Sequence, residues 1–249
     1  MANEVTEHES AVEPATESNS TRTEQSGFVR VIQLPGVAAY ALSFFALKLV
    51  NYSFFFWLPY FLHNKYSWDD STANFLSTWF DVGGIVGGTL GGIISDCSGR
   101  RSPVVFMMAA LAVPSLFVFN QSPPDQLLAA MLMTLCGFFI GGASNMIGAA
   151  CAADLGKTAI EYGMPSAISL VTGIIDGTGS VGAAVGQVSI PYLELNYGWG
   201  SVFLMFMIMC SISAVALLPV VVREMRTGCC PGRDYLTIPE VQNSGTNQV

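Results

Sequence analysis

The chain has 249 residues, of which 51% are apolar, 11% are charged and 25 are glycine. Soluble domains carry about a quarter charged residues, so this composition excludes an ordinary soluble enzyme core and points to a polytopic helical membrane protein. The net charge of −8 is no footprint for nucleic acid, and much of it comes from one end of the chain.

Residues 1–27 contain Glu4, Glu7, Glu9, Glu13, Glu17 and Glu24 and almost no large apolar side chain. Such a segment cannot bury enough apolar surface to order itself and reads as a disordered acidic cytoplasmic leader. It lacks a basic region followed by an apolar run, so it is not a signal peptide. Residues 28–226 then hold six apolar stretches, near 35–62, 72–95, 103–120, 126–152, 165–192 and 199–222, each long enough to cross a bilayer. Residues 227–249 read as a cytoplasmic tail. The fold class expected is an all-α membrane protein of six transmembrane helices.

The first span begins at Pro35, holds Pro59 inside, and carries Lys48 near its middle with Asn51 and Tyr52 one turn on. The second contains Gly83-Gly84, Gly87-Gly88 and Gly91-Gly92, two interleaved rows at four-residue spacing that suit close helix packing. Asp81 precedes them near midspan. The exit of this span reads Gly92-Ile-Ile-Ser-Asp96-Cys-Ser-Gly99-Arg100-Arg101. Gly92 is expected to let the span end pack closely. Asp96 should accept hydrogen bonds from a neighbouring helix N terminus, and Gly99 should make the turn. The third span starts at Pro103 and contains Pro114; it ends in the sequon Asn120-Gln-Ser122, whose membrane-edge position and following proline disfavour glycosylation.

The fourth span shows a stripe of Thr134, Gly137, Gly141, Asn145, Gly148 and Ala152, and ends at Asp154, for which Arg100 is the expected partner. The fifth shows Ser169, Thr172, Asp176, Ser180, Ala183 and Gln187 at helical spacing. Lipid penalises that face, so it must look at protein or a water-filled cavity. Gly177-Thr-Gly179-Ser-Val-Gly182 matches the dinucleotide fingerprint, but that motif needs a preceding strand, so it is rejected here. The sixth span is followed by Cys229-Cys230, which invites palmitoylation or stays a solvated thiol pair. No Cys/His spacing suits a metal, and no cofactor is implied.

Lys48, Asp81 and Asp176 each lie near midspan, where a Lys or Asp costs about 2.5–3.5 kcal/mol even on a lenient scale. Such residues face a pathway or one another. A structural Lys–Asp pair is one reading; the other makes Lys48, a compact charge with three donors, an anion ligand. The local formal sum is −1, a poor anion site unless a carboxyl group is protonated or positive charge comes from elsewhere. Of the ten cationic side chains, Arg22, Arg30, Arg100, Arg101, Lys157, Arg223, Arg226 and Arg233 fall on one side of the membrane and only Lys65 on the other. That bias places both termini in the cytoplasm.

The string from Gly92 to Arg101, at the exit of the second span, resembles motif A of the major facilitator superfamily. Its gating residues are then Gly92, Asp96, Gly99, Arg100, Arg101 and, facing them, Asp154. Lys48-Leu-Val-Asn-Tyr-Ser-Phe-Phe-Phe-Trp57-Leu-Pro59, Phe80-Asp81-Val-Gly-Gly-Ile, Ala153-Asp154-Leu-Gly156 and Ile175-Asp176-Gly-Thr-Gly-Ser-Val-Gly-Ala-Ala resemble the sugar-phosphate exchanger family of organophosphate:phosphate antiporters. Gly137-Phe-Phe-Ile-Gly-Gly and Ser144-Asn-Met-Ile narrow the resemblance to one branch of it. The resemblance covers roughly residues 28–226.

The resemblance implies that the six spans are the second half of a twelve-helix transporter, in the endoplasmic reticulum membrane. It implies exchange of a phosphorylated sugar for inorganic phosphate, with Lys48 offering the cation to phosphate beside Asn51 and Tyr52. Asp81 and Asp176 adjust the midplane charge or couple transport. The implied partners are the lipid bilayer, the two phosphate-bearing substrates, and a first six-helix half or a second copy; nucleic acid is not among them. Two rivals are a proton-coupled facilitator of another solute, with Asp81 or Asp176 carrying the proton, and a non-transporting membrane partner. No nucleophile–base set suggests an enzyme.

Overall fold

The computed structural model describes residues 36–161 and 167–226, together with Val31, Ile32 and Leu34. The expected leader, the tail with Cys229-Cys230, and the helix-start prolines Pro35 and Pro165 lie outside the described residues. Within them all regular structure is helical: α1 Val37–Tyr66, α2 Asp70–Ser98, α3 Ser102–Asn120, α4 Gln126–Asn145, a π-helical stretch Met146–Cys151, α5 Ala152–Glu161, α6 Ala167–Tyr197 and α7 Trp199–Arg226.

Local chemistry sets most of the ends. Asp69 caps α2, accepting from the Thr72 N–H at 3.1 Å and the Thr72 hydroxyl at 2.6 Å, and these bonds hold its carboxyl below the ordinary range. Asp125 caps α4 by accepting from the Leu128 N–H at 3.0 Å. Gly99, at φ 65°, ends α2 in the left-handed conformation that glycine adopts without strain. Pro103 sits in the first turn of α3, where a missing N–H leaves no bond unmade. Pro59 and Pro114 lie inside continuous helices as expected, and so do Pro191 and Pro219. At the end of α3, Lys65 donates to the Asn120 carbonyl at 2.6 Å and the Ser122 hydroxyl donates to the Phe119 carbonyl at 2.7 Å, so the sequon is engaged in helix-end bonds.

Five helical segments are long and apolar enough to cross a membrane: α1, α3, the run Gln126–Lys157, α6 and α7. The sixth expected span, α2, falls short of that hydropathy because glycines, Asp70, Asp81 and Asp96 dilute it. Its 29 residues still span about 43 Å at 1.5 Å per residue, more than the ~30 Å hydrocarbon core.

Glycine decides how these helices pair. A Cβ added to Gly83 or Gly87 would overlap the α4 backbone at Thr134 or Phe138, and one added to Gly137 would overlap the Phe80 carbonyl. One added to Gly84 would come to 3.4 Å from the Gly141 Cα. Dispersion between bare backbones thus joins α2 to α4. Of the two glycine rows, Gly83, Gly87 and Gly91 make the tight seam, with Gly91 against the sulfurs of Met146 and Met108; Gly92, expected to pack closely, has open space where its Cβ would be. The neighbouring row still meets α4 through Gly84 and Gly88, the latter with 3.3 Å between its added Cβ and that of Asn145, and only Gly92 at its end stands clear.

A second seam joins α6 to α1. Gly179 lies under Phe44 and Lys48, Gly182 against the Phe45 backbone, and Gly186 against Ser53 and Leu49. Two of the three fingerprint glycines therefore serve helix packing. Phe54, Phe61, Phe119, Phe203 and Phe206 form an aromatic core between α1, α3 and α7, with ring centroids 5.0–6.3 Å apart among the closest pairs.

Gly137→Val should therefore cost more than the usual ~1–3 kcal/mol of core overpacking, because the obstruction is backbone and cannot change rotamer. Thermal unfolding in detergent micelles, read against Gly92→Val, checks this; the second substitution should be nearly neutral.

Candidate functional site

Lys48 lies in the middle of α1, its side chain 9% exposed. Its Nζ donates to Asp176 Oδ1 at 2.6 Å and to Ser180 Oγ at 3.1 Å, both on α6. The faces of Phe44 and Tyr52 lie 5.2 and 5.6 Å from the same nitrogen. The polar stripe of α6 thus runs along the α1 seam: further on, Gln187 accepts from the Trp57 indole at 2.8 Å and donates to the Tyr52 carbonyl at 3.3 Å. Periodicity exposed the stripe but not Phe44, whose one available signal was its position one turn before Lys48.

Asn51 is half-buried at the α2–α4 seam, its Oδ1 close to where a Gly141 Cβ would lie. The stripe of α4 lies over α2 and α1: Asn145 donates to the Gly84 carbonyl at 3.4 Å, and Gly148 touches the Phe44 ring. The π-helical stretch Met146–Cys151 falls at this point, where a wider turn redirects the helix between the Lys48 wall and Asp154. Nothing in the local sequence beyond Gly148 announced it.

Asp81 is exposed on α2 and, among the described residues, has neither ion pair nor hydrogen-bonding side-chain partner. It does not pair with Lys48, since Asp176 takes that place. The six helices accordingly form a wall with one neutralised cation and one open carboxylate. Asp176 is 59% exposed and Tyr52 40%, so the pair faces away from the bundle core.

At the α2–α3 turn, Arg101 bridges Asp96 (Nη2 to Oδ1, 3.1 Å) and Asp154 (Nε to Oδ2, 2.5 Å). Asp154 also pairs with Lys157 at 3.2 Å. The expected partner of Asp154 was Arg100; consecutive side chains leave the left-handed turn in different directions, and Arg101 is the one aimed at α5. Arg100 is coupled electrostatically to Glu224 at the end of α7 instead. Among the described residues no helix N terminus donates to the Asp96 carboxylate, contrary to expectation; Arg101 holds it instead.

With α4, the π-helical stretch and α5 counted as one span, the described helices form a six-span membrane bundle zipped by glycine, with a buried cation on an open wall and a charged turn at one edge. The chain belongs to the Major Facilitator Superfamily, whose family model matches residues 37–228. Its relatives there include sugar phosphate exchangers. It is 49% identical over 200 residues to sugar phosphate exchanger 3 of Xenopus laevis, covering 80% of this chain and 40% of the relative. It is 47% identical over 209 residues to sugar phosphate exchanger 3 of Homo sapiens, covering 84% and 42%. The putative glycerol-3-phosphate transporter 1 of Arabidopsis thaliana is 40% identical over 205 residues, covering 80% and 39%. The chain spans about two fifths of the length of these relatives. The resemblance carried by the strings around Lys48, Asp81, Asp154 and Asp176 thus extends over most of the chain.

Proposed function

We propose that these six helices form one half of a carrier that exchanges a phosphorylated sugar for inorganic phosphate by alternating access, with phosphate held at Lys48. The observation that carries this reading is a buried ammonium at midspan on a face the bundle leaves open. A compact cation in a low-dielectric wall is suited to a phosphate. Tyr52 flanks it, Asn51, turned toward Gly141, is the proposed further contact from the same helix, and a second six-helix half, or a second copy, supplies the opposing wall and further positive charge. Gly92, Asp96, Gly99, Arg100, Arg101 and Asp154 form the gate at one edge, where the Arg101 bridge joins the α2–α3 turn to α5 in one of the alternating states. No bond is made or broken.

The test is counterflow: vesicles loaded with phosphate and carrying the assembled carrier should take up labelled sugar phosphate, with no response to an imposed pH gradient. Uptake driven by the pH gradient and indifferent to internal phosphate would instead favour proton coupling, for which the unpaired Asp81 is the specific observation.

The eight-to-one charge bias supports cytoplasmic termini, in an endoplasmic reticulum membrane. Single cysteines introduced beside Lys65 and beside Arg101 should then label from opposite sides of the membrane. Labelling from the same side would overturn the topology.

A further inference from the structure

Resting on the phosphate reading of Lys48, we infer that the Asp176 carboxylate is a built-in competitor: it occupies the place of the substrate's phosphate and is displaced from Lys48 when the anion binds.

The two members of the pair are unequally covered. Lys48 is 9% exposed and Asp176 59%, so the ammonium is closed off while its partner carboxylate stays open to the wall. The ammonium is closed in by α1 and α6 and by the rings of Phe44 and Tyr52. Its approach from the open wall is on the side of the Asp176 carboxylate. That carboxylate oxygen, at 2.6 Å, sits where a phosphate oxygen would make the same charge-assisted bond. Both anions on one ammonium would place like charges side by side, so the arriving group takes the contact and Asp176 gives it up.

The surroundings allow the exchange. Gly173 and Gly177 lie on the same face of α6, and nothing comes within 4 Å of where their Cβ atoms would be. With those neighbouring positions open and its own side chain 59% exposed, the carboxylate has room to turn away from Nζ, and Ser180 Oγ stays at 3.1 Å from Nζ as a neutral contact that a phosphate does not need to remove. The unliganded wall is neutral at Lys48, and its affinity for anions is held down until a ligand competes successfully.

The experiment measures binding of labelled inorganic phosphate to the full chain in lipid nanodiscs. Asp176→Asn, which removes the competing charge at constant shape, should tighten phosphate binding at least about tenfold over wild type, the scale of one charge-assisted hydrogen bond. A residue that merely braces the helices would weaken or not change binding when altered. Equal or weaker binding by folded Asp176→Asn overturns the inference. A gain that persists in Lys48→Ala/Asp176→Asn shows that phosphate is not held at Lys48, and overturns both the inference and the reading beneath it. Asp176→Ser provides a second variant. If both variants hold together only with phosphate in the buffer, phosphate is replacing the carboxylate as inferred; if both are lost with and without phosphate, it does not replace it and the inference fails.

Discussion

Lys48→Ala should abolish phosphate-driven uptake by the assembled carrier while leaving its level in the membrane intact. The contact it removes is a charge-assisted bond in a desolvated wall, worth about 1.5–3 kcal/mol, so affinity should fall on the order of 10–100-fold. The same substitution should be mild for the fold. It leaves Asp176 unpaired, but that carboxylate is 59% exposed on the face proposed to line the solute pathway, so it is not closed into the protein as the ammonium is. Truncating the other partner is different: without Asp176 an ammonium that is 9% exposed stays charged in a closed site with Ser180 as its remaining hydrogen-bond partner, so the fold should lose stability. The two alanine variants should therefore separate, Lys48→Ala losing exchange and Asp176→Ala losing stability. Exchange assays paired with thermal unfolding of each purified variant check this, and normal exchange by a well-expressed Lys48→Ala carrier excludes the role of Lys48.

Reconstituted alone in phosphate-loaded liposomes, the 249-residue chain should show no saturable uptake of labelled sugar phosphate. On the proposed reading, alternating access rocks one six-helix half against another around a midplane site, and the described helices supply one wall of it. Only 22% of the most hydropathic stretch of α6 is buried, against 61% for α1. Asp81 lies exposed on α2 without a partner among the described residues. A midspan carboxylate facing lipid is costly, so these faces call for a second protein surface. Gly173, Gly177 and Gly92 offer close approach to one, since nothing stands within 4 Å of them. Saturable uptake that disappears with Lys48→Ala would mean that two copies of the chain rebuild the carrier, and would refute the prediction.

Much of this architecture was legible in the amino-acid sequence because the bilayer is a demanding solvent. Long apolar stretches have one stable answer there, a helix with every backbone group bonded internally, so the six helices could be drawn close to their observed bounds. Two helix ends were legible for the same local reason, Gly99 at the close of α2 and Pro103 at the start of α3; the caps Asp69 and Asp125 act as locally but emerged only in the structure. The strings that pointed to the superfamily were legible too, and residues 37–228 match its family model.

What one-dimensional spacing could not supply was direction in space. Gly91 and Gly92 are equivalent in sequence, yet only Gly91 meets a neighbour, because that depends on the azimuth at which α2 meets α4. Arg100 was the expected partner of Asp154, and the packed bundle gives that place to its neighbour Arg101. The three midspan charges allowed two Lys–Asp pairings, and the choice of Asp176 over Asp81 follows from the glycine seam that draws α6 onto α1. The π-helical stretch after α4 likewise coincides with contacts that spacing does not reveal, Gly148 against Phe44 and Met146 against Gly91. Composition and local chemistry thus determine which segments are helices and where they stop, since those depend on solvent and on near neighbours in the chain. Which faces meet, and so which charges touch, is a property of the packed bundle, where a rotation of one helix by a single residue exchanges one partner for another.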